Sequence, residues 1–167
     1  LKAALCRHGV EQMRTDAEVA LGLAPTGSGL QATAQLLLGI SHLLAGDFDL
    51  AEHRLTDAAQ VGEELGVDVA IAALAERSIL AMSRGDWQQA ELLAERAGTS
   101  ARPEWLEQYV GSALLHVALA RLAIHRGDVP QARSHLAHAE HLRPRLTYAL
   151  PHLAVQVRLE LARNYLA

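Results

Sequence analysis

The chain has 167 residues, of which 50% are apolar and only 4% aromatic, and its formal net charge is −4 at pH 7. This acidic balance argues against a nucleic-acid surface, because phosphate binding requires clustered basic residues. Cys6 is the only cysteine, which excludes an internal disulfide framework and favours a reducing, cytoplasmic compartment. No alternating run of β-branched residues indicates a strand, so the composition predicts a single all-α domain.

The first long apolar stretch runs from Val19 to Gly46 without any Asp, Glu, Lys or Arg, a length sufficient to span a bilayer. The loop-forming sequence PTGSG at 25–29 interrupts it, and several polar residues follow. We therefore predict a helix that ends near Leu23, a loop, and a second helix that begins near Leu30. No membrane span is expected.

A six-residue motif that begins with Gly-Asp and ends with Ala occurs three times, beginning at Gly46, Gly85 and Gly127. The intervals of 39 and 42 residues are typical of a structural repeat. Glycine fits the left-handed position just past a helix end. Aspartate is a favourable N-cap for the next helix, and it follows each glycine, as Asp47, Asp86 and Asp128. Each copy of the motif therefore predicts a tight turn between two helices.

Small residues flank each predicted turn at fixed distances. Seven positions before the glycine stand Gly39, Ser78 and Ala120, and five positions after it stand Ala51, Ala90 and Ala132. Small residues on facing helices allow a short distance between the helix axes. We predict helix-pair repeats at 32–65, 71–102 and 113–144, with partial repeats at both ends of one domain that spans 1–167.

This pattern of a small residue, Gly-Asp-aromatic and Ala resembles the tetratricopeptide (TPR) pattern, although the period exceeds the roughly 34 residues usual for TPR. Longer repeats rich in Ala, Leu and Arg resemble the helical-repeat region of bacterial LuxR-type, MalT-like regulators. The resemblance implies an all-α, right-handed superhelix of antiparallel helix pairs, a TPR-like α-solenoid. It also implies a non-enzymatic sensor or protein-interaction module that lies between an ATPase region and a helix-turn-helix DNA-binding domain. The alternative is a generic TPR scaffold that docks a peptide or protein without a transcriptional role.

In TPR-like superhelices the first helix of each repeat lines the concave groove, and the resemblance implies the same here. The repeat register selects the candidate groove residues, which are Leu36, Ile40, Leu43, Ile79, Met82, Val117, Arg121, Ile124, His125, Leu159 and Arg163. We predict a groove that is apolar at its N-terminal end and basic at its C-terminal end. Such a groove suits an amphipathic helix, an acidic partner segment or an anionic effector held by Arg121 and Arg163. Alternatively, neighbouring helices cover part of this face and the two arginines are solvated.

Three histidines, His135, His138 and His141, recur at three-residue steps in the third repeat. A zinc site requires further ligands, so we predict a solvated helix face and no metal site. His42 lies on the packing face and is predicted to be a hydrogen-bonded core residue. No GxSxG, HExxH or CxxC motif is present in the sequence, so we expect neither catalytic residues nor a cofactor.

The aromatic residues Phe48 and Trp87 occupy matching turn positions and are predicted to anchor repeat packing, and Trp105 is expected to pack as well. Helical sequence continues to both ends, and the spacing places the next turn glycine near position 169. We therefore expect a piece of a longer array whose apolar ends favour self-association. The expected partner is a protein, a peptide or a small effector; DNA would be bound only through a separate domain, and no membrane partner is expected.

Overall fold

The computed structural model describes residues 8–100, 109–146 and 151–167. Within these ranges all regular structure is helical and no strand occurs, which confirms the all-α prediction. The α-helices of the described ranges are α1 (Val10–Leu23), α2 (Gly29–Ala45), α3 (Phe48–Leu65), α4 (Val69–Ser83), α5 (Trp87–Ser100), α6 (Ser112–His125), α7 (Val129–Leu142) and α8 (Pro151–Leu166). A 3₁₀ turn, Arg143–Arg145, follows α7. The predictions for Cys6 and Trp105 lie outside the described residues.

The loop predicted after Leu23 is present, because α1 ends at this residue and α2 begins at Gly29. Ser28 caps α2, and its hydroxyl accepts a hydrogen bond from the backbone N–H of Gln31 at 3.2 Å. None of the helices in the described ranges combines the length and the apolar character needed to cross a membrane.

The three predicted turns share one geometry. Gly46, Gly85 and Gly127 have φ values of +85°, +78° and +76°, in the left-handed region that glycine enters without a steric penalty. In each turn the N–H of the following Asp donates to the carbonyl five residues earlier, at 2.9, 3.0 and 2.9 Å. The glycine N–H donates to the carbonyl three residues earlier. This is the Schellman arrangement, and it confirms the predicted turns.

The predicted N-caps are confirmed at two of the three turns. The carboxylates of Asp86 and Asp128 accept a hydrogen bond from the backbone N–H three residues on, at 3.0 and 3.1 Å. Asp47 stands at the same position but makes no side-chain cap hydrogen bond. Its Oδ2 lies 3.5 Å from Nδ1 of His42 instead, so the prediction that Asp47 caps α3 is wrong. His42 is buried, as predicted, but its Nδ1 has no hydrogen-bond partner among the described residues, so the predicted hydrogen bond is not found at this atom.

The small residues bring the two helices of each pair close together, as predicted. The Ser78 hydroxyl donates to the carbonyl oxygen of Ala90 at 2.8 Å, which joins α4 directly to the backbone of α5. Between α2 and α3, a Cβ atom added to Gly39 would lie only 2.6 Å from Cγ of Leu55. At this position, the helix axes approach so closely that only glycine fits.

The first helices of the pairs form a continuous row, in which α2 packs on α4, α4 on α6 and α6 on α8. Each second helix packs on the first helix of its own pair, and α3 and α5 also contact the first helix of the next pair. Buried Leu, Ala, Val and Ile side chains connect α3 through α8 in one core. This row brings the C-terminal helix α8 onto the same side of the molecule as α2 and α4.

Arginine–carboxylate pairs link consecutive helix pairs at the surface. The paired residues are Arg77 with Glu52, Arg84 with Asp49, Arg96 with Glu63, and Arg126 with Glu91. The last three pairs are exposed and contribute about 0–1 kcal/mol each. The Arg77 side chain is only 11% exposed, so its pair with Glu52 is the part-buried one of the four.

Candidate functional site

The C-terminal helix α8 is held against the row of first helices by buried polar contacts. Near its beginning, Nε2 of His152 lies 2.7 Å from Oε1 of Glu76 on α4. Near its end, the amide of Asn164 donates to the carbonyl oxygen of Val117 on α6 at 2.9 Å. Glu76 is only 2% exposed and Asn164 only 6%. Buried polar groups require partners, so these contacts determine where α8 can dock.

A third contact of α8 involves Glu160, which is 1% exposed. Its Oε2 lies 3.4 Å from Nη1 of Arg121 on α6, and its Oε1 accepts a hydrogen bond from Nη1 of Arg163 on α8 itself. The two arginines that the sequence placed in equivalent register therefore converge on a carboxylate of the same chain. Their charges are at least partly compensated within the protein.

A partly open cleft of about 260 Å³ lies between α8 and the helices α2 and α4. We call it the inner cleft. Its apolar walls are Leu43, Leu44, Phe48, Ile79 and Leu80. Its polar lining consists of Glu76, Ser83, His152, Gln156 and Arg163. It therefore combines an apolar surface with a buried acid and several hydrogen-bonding groups.

The inner cleft lies beside the first turn, where the second repeat has Ser83 at the position that His125 occupies in the third repeat. At the second turn, Trp87 stacks on His125 of the next repeat, with ring centroids 3.8 Å apart and an interplanar angle of 5°. The corresponding residues at the first turn are Phe48 and Ser83, and both line the cleft. Serine offers no ring to Phe48, which stays 49% exposed. The prediction that Phe48 anchors repeat packing is therefore wrong, whereas Trp87 does pack against the core.

Glu76 is the unusual group in the cleft. Its Oε1 is paired with His152, but its Oε2 is buried and has no hydrogen-bond partner among the described residues. A buried carboxylate oxygen without a donor costs free energy, because it has lost its hydrogen bonds to water.

No protein-family model matches this chain, and no curated protein matches it either. The functional assignment therefore depends on the repeat pattern and on the geometry of the inner cleft.

The structure brings three of the predicted groove residues to the cleft, namely Leu43, Ile79 and Arg163. Others are covered by neighbouring helices: Ile40 is 7%, Met82 3% and Val117 0% exposed. In this conformation these three side chains offer little surface to a ligand.

The remaining predicted groove residues lie outside the cleft. Leu36 is half-buried and packs against the core, and Ile124 is half-buried near the end of α6. His125 is occupied by its stack on Trp87, and Arg121 lies beneath the same ring, with its guanidinium carbon 5.8 Å from the centroid. Leu159 is 50% exposed on α8. The basic end of the predicted groove is thus a structural junction.

Sequence reasoning missed most of the cleft, including its central acid. Glu76 stands nine residues before its turn glycine, where the other two repeats have Leu37 and Ala118. A charged residue at a position that is otherwise apolar was the available signal. His152 and Gln156 carried no comparable signal, because α8 has no complete repeat to be compared with.

Of the three histidines of α7, His138 and His141 are exposed, as predicted, whereas His135 is not. His135 is half-buried, and its Nδ1 lies 3.3 Å from Nδ1 of His116, while the ring of His138 stacks on His116 with centroids 4.9 Å apart. Burial lowers the pKa of His135, and the charges of His138 and Arg126 lower it further. The prediction of a solvated face is therefore wrong at His135. In the described ranges no group of three or more His, Cys, Asp or Glu is placed to hold a metal ion.

The pair of Glu76 and His152 resembles the acid and base of a nucleophilic triad, and Ser83 lines the same cleft. The Ser83 hydroxyl, however, donates to the carbonyl oxygen of Leu80 at 2.7 Å. Nucleophilic catalysis requires a hydrogen bond from the nucleophile to the base, which this arrangement does not provide. The geometry is better suited to binding than to acyl transfer.

Proposed function

We propose that this chain is a non-enzymatic sensor module of a cytoplasmic transcriptional regulator of the LuxR-type, MalT-like kind. In this proposal the helix pairs form a TPR-like, right-handed superhelix. An effector or partner binds in the inner cleft, and its binding is coupled to flanking domains. The identical Schellman turns and the continuous row of first helices support the repeat architecture.

The observation that carries the proposal is the position of Glu76. This buried carboxylate lies at the contact between α4 and α8, and it lines a cleft that is partly open. A ligand in the cleft would touch the repeats on one side and α8 on the other. Its binding would therefore change the free energy with which α8 docks, provided that the ligand prefers one position of α8.

The alternative is a generic TPR scaffold in which the same cleft docks a peptide or protein and has no role in transcription. The presence of a helix-turn-helix DNA-binding domain in the same full-length protein would favour the regulator over the scaffold. Both alternatives assume binding without turnover, which is supported by the hydrogen bond that holds the Ser83 hydroxyl on its own helix.

The test uses the full-length protein in its own cell. Ser83→Trp is designed to place a ring beside Phe48, in the way that His125 stands beside Trp87 in the next repeat. The added ring is expected to fill the cleft, because both Phe48 and Ser83 line it. Ser134→Trp is the matched control, because Ser134 is exposed on α7 and does not line the cleft. Transcript profiles are compared between the wild type, a deletion strain and the two variants.

We expect the deletion to change a defined set of transcripts, and Ser83→Trp to alter the same set while Ser134→Trp leaves it unchanged. A deletion without any effect on transcripts would exclude the regulator and leave the scaffold. An effect of the deletion that Ser83→Trp does not reproduce would show that the inner cleft is not the sensing site.

A further inference from the structure

We propose that the inner cleft binds a small organic cation, a primary ammonium group on a compact apolar body, with Oε2 of Glu76 as the acceptor. This inference rests on the proposed function, because it names the ligand class for the same site.

Among the described residues, the Glu76 carboxylate has one side-chain partner, His152, which contacts Oε1 and leaves Oε2 without a donor. The neighbouring Arg77 does not reach it, because the Arg77 guanidinium is bound to Glu52 on α3 at 2.7 to 2.8 Å. His152 supplies a single contact, to Oε1, at 2.7 Å. One donor leaves most of the acceptor capacity of a carboxylate unused. A ligand that brings both a positive charge and N–H groups satisfies Oε2 better than a neutral donor, since charge-assisted hydrogen bonds are roughly twice as strong.

The cation that lines the cleft, Arg163, is 60% exposed but already has a partner on its own helix. Arg163 lines the cleft, but its guanidinium binds Glu160, which also faces Arg121. An anionic ligand would have to compete with this buried carboxylate and would also approach Glu76. The charges of the cleft therefore favour a cation over the anionic effector that the sequence suggested.

The shape of the cleft limits the rest of the ligand. Its volume of about 260 Å³ is slightly below the roughly 300–1,000 Å³ typical of ligand pockets, so the ligand is small. Leu44 and Phe48 are 47% and 49% exposed in its wall and provide contacts for an apolar body. The ring of Phe48 also offers a face that attracts a cation.

The experiment uses phenethylamine as the probe, with 2-phenylethanol as the neutral analogue and 3-phenylpropionate as the anionic one. Binding to the chain is measured by isothermal titration calorimetry at neutral pH and low salt. Glu76→Gln keeps the shape of the side chain and removes its charge. Glu95→Gln is the matched control, because Glu95 is exposed on α5 and does not line the cleft.

We expect saturable binding of phenethylamine, at least about tenfold weaker in Glu76→Gln and unchanged in Glu95→Gln. The alcohol is expected to bind more weakly than the amine and the carboxylate weakest of all. Ser83→Trp, which leaves Glu76 in place, is expected to abolish binding, so the test does not depend on the folding of Glu76→Gln alone.

Three results would overturn the inference: no binding of phenethylamine, equal binding of the three probes, or unchanged affinity in Glu76→Gln. Its failure is separable from failure of the proposed function. Transcripts that respond to Ser83→Trp in a protein that does not bind the amine would reject only the ligand class. Amine binding through Glu76 without any transcriptional response would reject only the regulator.

Discussion

Arg121 on α6 and Glu160 on α8 face each other across the junction between the last helix pair and the C-terminal helix, with Nη1 3.4 Å from Oε2. The Glu160 side chain is 1% exposed, whereas that of Arg121 is 26% exposed. The carboxylate is thus the buried partner and depends on the arginines for compensation. Arg163 provides a second hydrogen bond from within α8.

Replacing Arg121 is therefore expected to destabilise the fold. Arg121→Ala leaves Glu160 with one arginine and should lower the free energy of unfolding by about 1.5–3 kcal/mol, the range for a hydrogen bond to a charged group. Urea denaturation measures this change. The control is Arg84→Ala, because Arg84 pairs at 3.0 Å with Asp49, whose side chain is fully exposed. The control should cost less than about 1 kcal/mol. Equal losses in the two variants would contradict a buried role for Glu160.

Gly39→Ala is expected to destabilise the protein even though alanine favours helices. The added Cβ would lie 2.6 Å from Cγ of Leu55 and 3.2 Å from its backbone nitrogen, so α2 and α3 must move apart. Overpacking of this kind costs about 1–3 kcal/mol. At Gly22, an exposed position of α1, an added Cβ meets nothing within 4 Å among the described residues. Gly22→Ala should therefore be neutral or stabilise by up to about 1 kcal/mol. Thermal unfolding of both variants compares the two effects, and a stabilising Gly39→Ala would contradict the close approach.

The stack of Trp87 on His125 is expected to couple the second and third repeats. A double-mutant cycle with Trp87→Ala and His125→Ala should give a coupling free energy of about 0.5–1.5 kcal/mol, the range for aromatic pairs beyond their buried area. The same cycle with Phe48→Ala and Ser83→Ala serves as the control, because serine has no ring to stack. We expect no coupling there above experimental error. Additive effects at Trp87 and His125 would show that the stack contributes nothing.

The stability should fall in mild acid through His135. Burial and the neighbouring charges lower the pKa of His135 in the folded state below the ordinary histidine value of about 6.5. As the pH falls below about 6.5, the unfolded chain therefore takes up a proton on this residue before the folded chain does, and folding is disfavoured. The loss levels off below the pKa of the folded state. His116, His138 and Arg126 are the titratable or charged groups that face it.

His135→Gln removes this titration and should make the free energy of unfolding less dependent on pH between about 7.5 and 5.5. His53→Gln is the control, because the His53 side chain is 68% exposed and only loosely paired with Asp57, at 3.8 Å. Urea unfolding at several pH values measures both slopes. A pH dependence that is the same in His135→Gln as in the wild type would exclude this residue as the cause.

Local features of the fold could be predicted well from the sequence, and one of the errors has an identifiable cause. The cap at Asp128 was predictable because its partner is the backbone three residues away. The cap at Asp47 is absent although the same turn is present, and Nδ1 of His42, 3.5 Å away, makes no hydrogen bond that would account for it. The packing role of Phe48 failed because it depends on a residue of the next repeat, and at Ser83 that residue has no ring. The Phe48 error thus involves a contact that lies beyond the turn itself.

The repeated Gly-Asp turns by themselves determined the helix pairs, because a Schellman turn is closed by hydrogen bonds that reach no further than five residues. The small residues at fixed distances from each turn indicated the close packing of the paired helices. Only the tertiary structure shows which residues from distant parts of the chain come into contact. Glu76 meets His152 across 76 positions of sequence, and Arg121 meets Glu160 across 39. The position of α8 depends on how its side chains fit against the whole row of first helices. The repeat period contains no information about that fit. The resemblance implied a groove along the first helices, whereas the structure has a small cleft between α8, α2 and α4 with a buried acid in its lining.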